Sequence, residues 1–405
     1  MTMTGGVRVG SAFMSSIALG RALRLARTAN PASMPTILAT AAAEFGATDL
    51  VVYLVDFGQE VLQPMPGRSG EPSSLGPEAI ATTMAGRAFT DQNIHVAERD
   101  DGVRLWIPVL EGSDHAGVIA LTLPRADERI LETCAALGDL AGYLIAAHAR
   151  CTDLYHVYRR QRSMTLAASM QWDLLPPLVL KASGISIAGL LEPAYNIGGD
   201  CFDYALNGAF LDIAIVDAVG RGLDAARLGS LTIGSYRHDR RDGHSLTTMH
   251  NNLESLIAGQ YDDCSFATGL LGRLGLDNGV FSWTNAGHPP PLLIRQGHVV
   301  GELRCDPTPP WGVGNREPSV RKDQLEPGDC LLLYTDGITE ARTLSGDLFG
   351  VDRLIDFMNR HAAESLRPEE MLRKLVANVR EYQGIDDLVD DATAVLVRWD
   401  GTNID

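Results

Sequence analysis

The N-terminal part of the chain alternates between helical and strand-like spacing of its apolar residues. Over residues 12–46 the apolar positions recur every three or four residues, which predicts helix, with a break at an Asn-Pro step that favours two helices over one. Compact apolar runs at 49–56, 104–110 and 116–123 predict strands, and a turn-rich connection joins the last two. Residues 57–103 are rich in Gly, Pro and Ser, so we expect loops there with one short helix.

A helical period begins at Ile130 and marks a change of structure. The helix is predicted to continue from there, with weaker periodicity, towards Leu174. Pro176 and Pro177 end it, because proline lacks the backbone N–H and restricts the residue before it. We therefore expect three parts, with residues 1–150 as a first domain, 151–178 as a helical linker and 179–400 as a second domain.

The C-terminal part predicts strands joined by hairpins, with helices in separate blocks. Asn278-Gly279 supplies the positive φ that a tight hairpin turn needs, Gln296-Gly297 marks a second turn, and Ser245 is suited to cap a helix. The predicted strands cover 208–216, 267–276, 280–284, 292–294, 299–300, 330–335 and 392–399. The predicted helices cover 222–236, a segment that follows Ser245, 351–362 and 368–382. This order is typical of an α+β sandwich, whereas a parallel sheet would alternate single strands with helices.

The charge balance of the chain limits its partners. Its 405 residues contain 34 Lys and Arg against 51 Asp and Glu, a net charge of −17, so neither nucleic acid nor an anionic membrane surface is an expected partner. An apolar fraction of 45% with 21% charged residues is that of a soluble globular protein, and the length indicates two or three domains.

Neither membrane insertion nor disulfide bonding is expected. The apolar stretch at residues 9–20 is too short to span a bilayer and is followed by arginines, so it is interpreted as part of a helix. The six cysteines form no Cys-x-x-Cys pair, and a chain of this size needs no disulfide. We expect free thiols in a reducing cytoplasm.

Four aspartates stand where an apolar strand ends or where glycine permits a turn, namely Asp200, Asp217, Asp336 and Asp390. A carboxylate in this setting offers oxygen ligands where backbone can approach closely, which suits a hard cation such as Mg²⁺ or Mn²⁺. Each aspartate alone is more typical of a turn or a cap. Their recurrence at four such corners favours a shared metal site. Zinc is not expected, since no His and Cys residues have ligand spacing.

His288 lies between a glycine and three prolines at the end of a predicted strand. A histidine in this setting either stabilises the turn by hydrogen bonding or acts near the metals as a proton donor or substrate contact. The sequence leaves both interpretations open.

Seven motifs occur in an order that resembles one protein family. They are GGDCFD (198–203), VDAVGRG (216–222), FATGLL (266–271), NAGHPPPLL (285–293), PGDCLLLYTDGITEA (327–341), FG (349–350) and DDATAVLVR (390–398). Together they resemble the SpoIIE/RsbU branch of the metal-dependent protein phosphatases, the bacterial relatives of protein phosphatase type 2C, over about residues 180–400. Residues 20–150 are similar, more weakly, to a GAF-type sensor domain.

The resemblance implies an αββα sandwich with two Mg²⁺ or Mn²⁺ ions between its sheets. It implies metal ligands at Asp200, Asp217, the Ala218 backbone carbonyl, Asp336 and Asp390, with Asp391 as the alternative to Asp390. Asp217 is then the bridging ligand, and Asp217 and Asp336 act in catalysis through water held by the metals. His288 and Arg221 are further catalytic candidates.

The motif at 216–222 departs from the family pattern. The usual Asp-Val-Ser-Gly-His-Gly is Asp217-Ala-Val-Gly-Arg221-Gly here, and Cys201 replaces the aromatic residue that usually follows Gly-Gly-Asp. These changes remove no carboxylate. Arg221 either contacts the phosphate bidentately or is a solvated surface residue.

We therefore expect a cytoplasmic, metal-dependent serine/threonine protein phosphatase controlled by a GAF-like domain. The resemblance implies phosphoserine on a STAS-type anti-anti-sigma factor as the substrate, in a partner-switching pathway that regulates transcription. The GAF-like domain takes a small molecule, a protein signal or no ligand, and the segment around 154–164 is either a homodimer contact or an intrachain connector. The alternative, favoured by the altered motif, is a catalytically degenerate phosphatase fold that acts as a scaffold or signal-binding regulator.

Overall fold

The computed structural model divides into two compact units, Met1–Ser163 and Met164–Asp405. The division falls within the predicted linker, and each unit is described by itself. The structure describes residues 7–66, 75–100, 102–193, 195–196, 198–261, 264–306, 308–314, 316–362, 364, 366–384, 388 and 390–401.

The N-terminal unit is built on one antiparallel sheet of six strands. These are β1 (Thr48–Val55), β2 (Val61–Pro64), β3 (Glu78–Ala79), β4 (His95–Arg99), β5 (Gly102–Glu111) and β6 (Asp114–Leu123), in the spatial order β3-β2-β1-β6-β5-β4. The helices of this unit are α1 (Val7–Ala26), α2 (Met34–Ala43), α3 (Met84–Asp91), α4 (Glu128–Ala149) and α5 (Leu154–Tyr158).

Alternation along β1 separates two hydrophobic clusters among the described residues of this unit. Val52 and Leu54 belong to a cluster with residues of α1, α2 and α4, whereas Tyr53 and Val55 belong to a smaller cluster with α3. The strands expected at 49–56, 104–110 and 116–123 are confirmed. The expectation for 57–103 was incomplete, because β2, β3 and β4 lie there besides one helix. These strands are two to five residues long, too short to show a period.

The prediction of one helix from Ile130 towards Leu174 is wrong. Three helices occupy this segment: α4 ends at Ala149, α5 has five residues, and a third helix begins at Leu166. Thr165 caps the third helix, because its hydroxyl oxygen accepts a hydrogen bond from the Ala168 N–H. The second break therefore coincides with a residue that starts a new helix.

One helix of the N-terminal unit has a membrane-like composition. Among the residues that the structure describes, only α4 is long and apolar enough to cross a membrane by length and composition, whereas the sequence drew attention to residues 9–20. The buried residues of α4, including Leu137 and Ala141, pack in the core of the N-terminal unit.

The C-terminal unit contains two antiparallel sheets. One has the order β15-β12-β11-β10-β9 and the other β14-β13-β16-β17-β8-β7. The strands are β7 (Val179–Ala182), β8 (Ile185–Glu192), β9 (Asp200–Asn207), β10 (Phe210–Ala218), β11 (Ala267–Gly275), β12 (Val280–Ala286), β13 (Leu292–Arg295), β14 (His298–Glu302), β15 (Arg321–Gln324), β16 (Asp329–Tyr334) and β17 (Ala392–Trp399). The helices are α6 (Leu166–Leu174), α7 (Gly222–Arg241), α8 (Leu246–Gln260), α9 (Asp336–Thr339), α10 (Gly350–Ala362) and α11 (Pro368–Gln383).

Three hydrophobic clusters give this unit its layers. Residues of both sheets, such as Ile215 and Leu333, form the cluster between the sheets. A second cluster packs α7 and α8 on the outer face of one sheet, and a third packs α10 and α11 on the outer face of the other. The predicted α+β class and αββα sandwich are confirmed.

Local signals for several elements are also confirmed. Gly279 has a φ of 69° in the turn between β11 and β12, and Gln296 and Gly297 have φ values of 50° and 81° between β13 and β14. Ser245 caps α8 by accepting a hydrogen bond from the Thr248 N–H. The sequence did not predict β7, β8, β9 and β15.

Candidate metal centre

Two aspartates on neighbouring strands point into the space between the sheets. Asp200 begins β9, Asp217 lies near the end of β10, and the two are direct cross-strand partners. Side chains alternate along a strand, and Phe202 and Ile215, two residues away, belong to the cluster between the sheets. Asp200 and Asp217 therefore share the inner face at one end of the sandwich.

The opposite sheet reaches Asp200 through two threonines. Thr335 follows β16, and its hydroxyl donates a hydrogen bond of 2.6 Å to Asp200 Oδ2. The Thr393 N–H of β17 donates to the Thr335 hydroxyl oxygen at 2.9 Å. Gln171, buried on α6, donates from Nε2 to the Asp200 carbonyl oxygen at 2.7 Å. Asp200 is therefore oriented by contacts from both sheets and from α6.

The adjacent residues Asp390 and Asp391 occupy different environments. Asp391 Oδ2 accepts hydrogen bonds from the backbone N–H groups of residues 198, 199 and 200, at 2.6, 2.8 and 3.4 Å. The Asp390 side chain is 66% exposed, and its Oδ2 lies 3.4 Å from Nη2 of Arg221. One carboxylate of the pair is therefore engaged by backbone, while the other is open to solvent.

Burial and mutual repulsion raise the pKa values of these carboxyl groups. Burial, together with the nearby charges of Asp336, Asp391 and Asp390, raises the pKa of Asp217 to about 7. The pKa of Asp200 is well above its usual value because of burial and the Asp217 charge. Burial is also the main cause of the raised pKa values of Asp336 and Asp391. A bound cation would relieve this excess of negative charge.

The donor set fits hard divalent cations. Every side chain in it is a carboxylate, the ligand type that Mg²⁺ and Mn²⁺ favour. Within the described residues, no group of three or more His, Cys, Asp and Glu side chains is arranged so that it could already hold a metal ion. The carboxylates share one region of the sandwich and would have to draw closer together around an ion.

Close backbone approach explains two glycines of the motifs. A Cβ on Gly199 would lie 2.1 Å from the Ala218 carbonyl oxygen, and a Cβ on Gly337 would lie 1.8 Å from the Asp391 carbonyl oxygen. Both distances are far below van der Waals contact, so glycine is required. The Ala218 carbonyl, the predicted backbone ligand, therefore lies against Gly199 and directly follows Asp217.

His288 lies beside the carboxylates without joining them. Its Nδ1 is 2.9 Å from the hydroxyl of Thr268, which is the cross-strand partner of Asp217. Its backbone N–H and carbonyl both bond to the Asn285 side chain. Burial lowers the pKa of His288 to about 3, so the imidazole is neutral near pH 7. This setting fits a hydrogen-bonding role better than proton donation.

Several residues around the site were not expected. Thr335 and Thr393 stand inside the quoted TDG and DDAT motifs, but those motifs predict only their aspartates as site residues. Thr335 lies two residues after Leu333, and Thr393 lies two residues before Val395. Because this spacing puts all four side chains on the inner face of their sheet, it could have predicted that the threonines lie near the site. Gln171 carries no such signal, because its segment resembles the continuation of an earlier helix.

The C-terminal unit matches a known family. A family model described as Stage II sporulation protein E (SpoIIE) matches residues 208–400. These residues form a SpoIIE-type domain. The match includes Asp217, Asp336, Asp390 and Asp391, whereas Asp200 lies just before it.

Curated relatives and a solved structure resemble the same part of the chain. Over 235 residues the chain is 26% identical to phosphoserine phosphatase RsbU of Bacillus subtilis, covering 58% of this chain and 69% of RsbU. Over 248 residues it is 23% identical to protein IcfG of Synechocystis, covering 54% of this chain and only 39% of IcfG. The SiaA-PP2C domain of Pseudomonas aeruginosa has a TM-score of 0.50 at 23% identity, covering 58% of this chain and 94% of that domain. This structural likeness supports the fold of the SpoIIE-type domain.

Proposed function

We propose that the SpoIIE-type domain is a metal-dependent protein phosphatase that hydrolyses phosphoserine or phosphothreonine. The observation that carries this proposal is the gathering of aspartates from both sheets at one end of the sandwich. Asp200 and Asp217 are cross-strand partners, and the charges of Asp336 and Asp390 act on Asp217. The name of the relative RsbU, phosphoserine phosphatase, supports the substrate class.

In this proposal the aspartates hold two divalent cations. Asp200, Asp217, Asp336, Asp390 and the Ala218 carbonyl would supply the oxygen ligands. Cations held there would supply positive charge to the phosphate and activate a water molecule. Thr335 keeps Asp200 aimed at the site through its hydrogen bond of 2.6 Å.

We propose that Arg221 contacts the phosphate. Its side chain is 70% exposed, and its contact with the exposed Asp390 is long at 3.4 Å. Exposed ion pairs of this kind contribute little stability, so the guanidinium can exchange this partner for another at low cost. Its planar array of donors matches the oxygens of a phosphate.

We also propose a phosphorylated partner protein as the substrate and the N-terminal unit as its regulator. The family resemblance supports a STAS-type anti-anti-sigma factor in a partner-switching pathway. A six-stranded sheet with α1, α2 and α4 on one face and α3 on the other is compatible with a GAF-like sensor. A homodimer through residues 154–164 stays a prediction.

The proposal is tested by hydrolysis of an aryl phosphate with Mn²⁺, using the full chain. Asp217→Ala and Asp336→Ala are each expected to lower the rate at least about 100-fold, because even changes outside the ligand set commonly cost 10–100-fold. Asp356→Ala, on the exposed side of α10, is the matched control and is expected to keep the wild-type rate. Wild-type rates in both site variants would overturn the metal assignment.

Calorimetry separates the phosphatase from the scaffold alternative. We expect the full chain to bind two Mn²⁺ ions. If it binds none at millimolar Mn²⁺, the domain is a degenerate phosphatase fold. Phosphate release from a phosphorylated STAS-type protein, compared with release from the aryl phosphate, then tests the partner.

A further inference from the structure

We propose that Asp391 is a positioning residue, whose carboxylate holds the backbone of residues 198–200 so that Asp200 points into the metal centre. Asp390 is then the metal ligand of the adjacent pair. The inference rests on the proposed metal-dependent function, but it makes a separate claim about which aspartate does which task.

The hydrogen bonds to Asp391 are the first observation. Three successive backbone N–H groups, from residues 198, 199 and 200, converge on the single atom Oδ2 at 2.6, 2.8 and 3.4 Å. Successive N–H groups that converge in this way form a concave site for an anion, and the two short contacts are typical of charge-assisted bonds. Gly198 and Gly199 are buried, so their N–H groups would lack partners if the carboxylate left.

The space around Asp391 is the second observation. A Cβ on Gly198 would lie 2.8 Å from Asp391 Oδ2, and a Cβ on Gly337 would lie 1.8 Å from the Asp391 carbonyl oxygen. The side chain therefore packs on the segment just before β9, while the backbone packs on the residue after Asp336. Asp391 thus sets the spacing between the aspartates of the two sheets.

The environment of Asp390 is the third observation. Its side chain is 66% exposed, and its Oδ2 has the long contact with Arg221. Among the described residues, its Oδ1 accepts one bond, of 3.3 Å, from the Asp391 N–H. A carboxylate has about four acceptor positions, so most of those on Asp390 are available to a cation. The Asp391 carboxylate is therefore engaged by backbone N–H groups, whereas the Asp390 carboxylate is open to a metal ion.

The test compares Asp391→Asn, Asp391→Ala and Asp390→Asn in the full chain. Asn at 391 keeps an oxygen that can accept from the 198–200 N–H groups, whereas Ala removes it. We expect Asp391→Asn to bind Mn²⁺ within about tenfold of wild type and Asp391→Ala to bind about 10–100-fold more weakly. Asp390→Asn is expected to lose more affinity than Asp391→Asn, as measured by calorimetry.

A second readout needs no metal. Amide hydrogen exchange of Gly198 and Gly199 is expected to remain slow in Asp391→Asn and in Asp390→Asn, and to become fast in Asp391→Ala. If Asp391→Ala does not fold, the comparison of the two Asn variants decides the question.

Two outcomes would overturn the inference. One is an Asp391→Asn variant that loses Mn²⁺ binding as fully as Asp390→Asn while its glycine amides stay protected, since Asp391 would then be a ligand. The other is protection in Asp391→Ala that equals wild type. If wild-type protein binds no Mn²⁺, the proposed function fails, whereas the exchange experiment still reports on the role of Asp391.

Discussion

Gly199 lies where β9 begins to pair with β10, and its Cα faces the Ala218 carbonyl oxygen. An added methyl group would lie 2.1 Å from that oxygen, so it must push the two backbones apart at the site. We expect Gly199→Ala to lower the free energy of unfolding by about 2–3 kcal/mol, measured by urea unfolding without metal.

Gly234 provides the control for this substitution. It is exposed in the interior of α7, with nothing within 4 Å of an added Cβ. Gly234→Ala is expected to stabilise the protein by about 0.5–1 kcal/mol, because alanine loses less backbone entropy in a helix. A Gly199→Ala variant as stable as this control would contradict the close approach seen at Ala218.

The motif GGDCFD shows how far single residues can be predicted. Asp200 and Asp203 are three positions apart on one strand, so alternation alone places them on opposite faces. Asp203 faces α7, where it binds Arg237 at 2.7 Å and Arg240 at 2.6 Å. The difference in face follows only once β9 is known to be a strand, which the sequence did not predict. The arginine partners could not be predicted either, because they come from a helix whose orientation depends on packing.

At the scale of elements, prediction succeeded where the apolar pattern is long. The last strand, Ala392–Trp399, was predicted with its observed bounds, and α10 and α11 were predicted within about one residue. In contrast, β9 has aspartates at its first and fourth positions, and its apolar residues do not alternate with polar ones. Its strand conformation depends on pairing with β10, which no local pattern reveals.

The start of α6, which the sequence did not predict, can be tested by substituting its capping residue. Thr165 Oγ1 accepts a 3.2 Å hydrogen bond from the Ala168 N–H and thereby starts a separate helix. Thr165→Ala is expected to lower the free energy of unfolding by about 1 kcal/mol, whereas Thr165→Ser keeps the cap and most of the stability. Equal urea midpoints for the Ala and Ser variants would show that this cap contributes nothing.

At the scale of the whole molecule, the charge of −17 has two meanings. Most acidic residues keep the surface soluble, as composition predicts. A few of them gather at one end of the sandwich and raise each other's pKa values. Composition cannot separate the two groups, because it is the pairing of β9 with β10 and the contact of Thr335 with Asp200 that bring the second group together.

This gathering predicts that stability and metal binding oppose each other at Asp217. At pH 8 without metal, Asp217→Asn removes a buried charge whose pKa is raised to about 7, so the variant should be more stable than wild type by at least about 1 kcal/mol. With Mn²⁺ at about 100 times its Kd, wild type should gain about 2.7 kcal/mol, because the ion binds only the folded state. The variant should gain little, so the order of stability reverses.

Thermal unfolding in EDTA and in Mn²⁺ measures both effects in the full chain. Asp356→Asn removes an equal charge from the exposed side of α10 and should respond to Mn²⁺ as wild type does. If Asp217→Asn is less stable than wild type in EDTA, the buried charge of Asp217 does not destabilise the metal-free fold. We expect the order of stability of wild type and Asp217→Asn to reverse on adding Mn²⁺, because the charge that destabilises the metal-free fold is the same one that holds the ion.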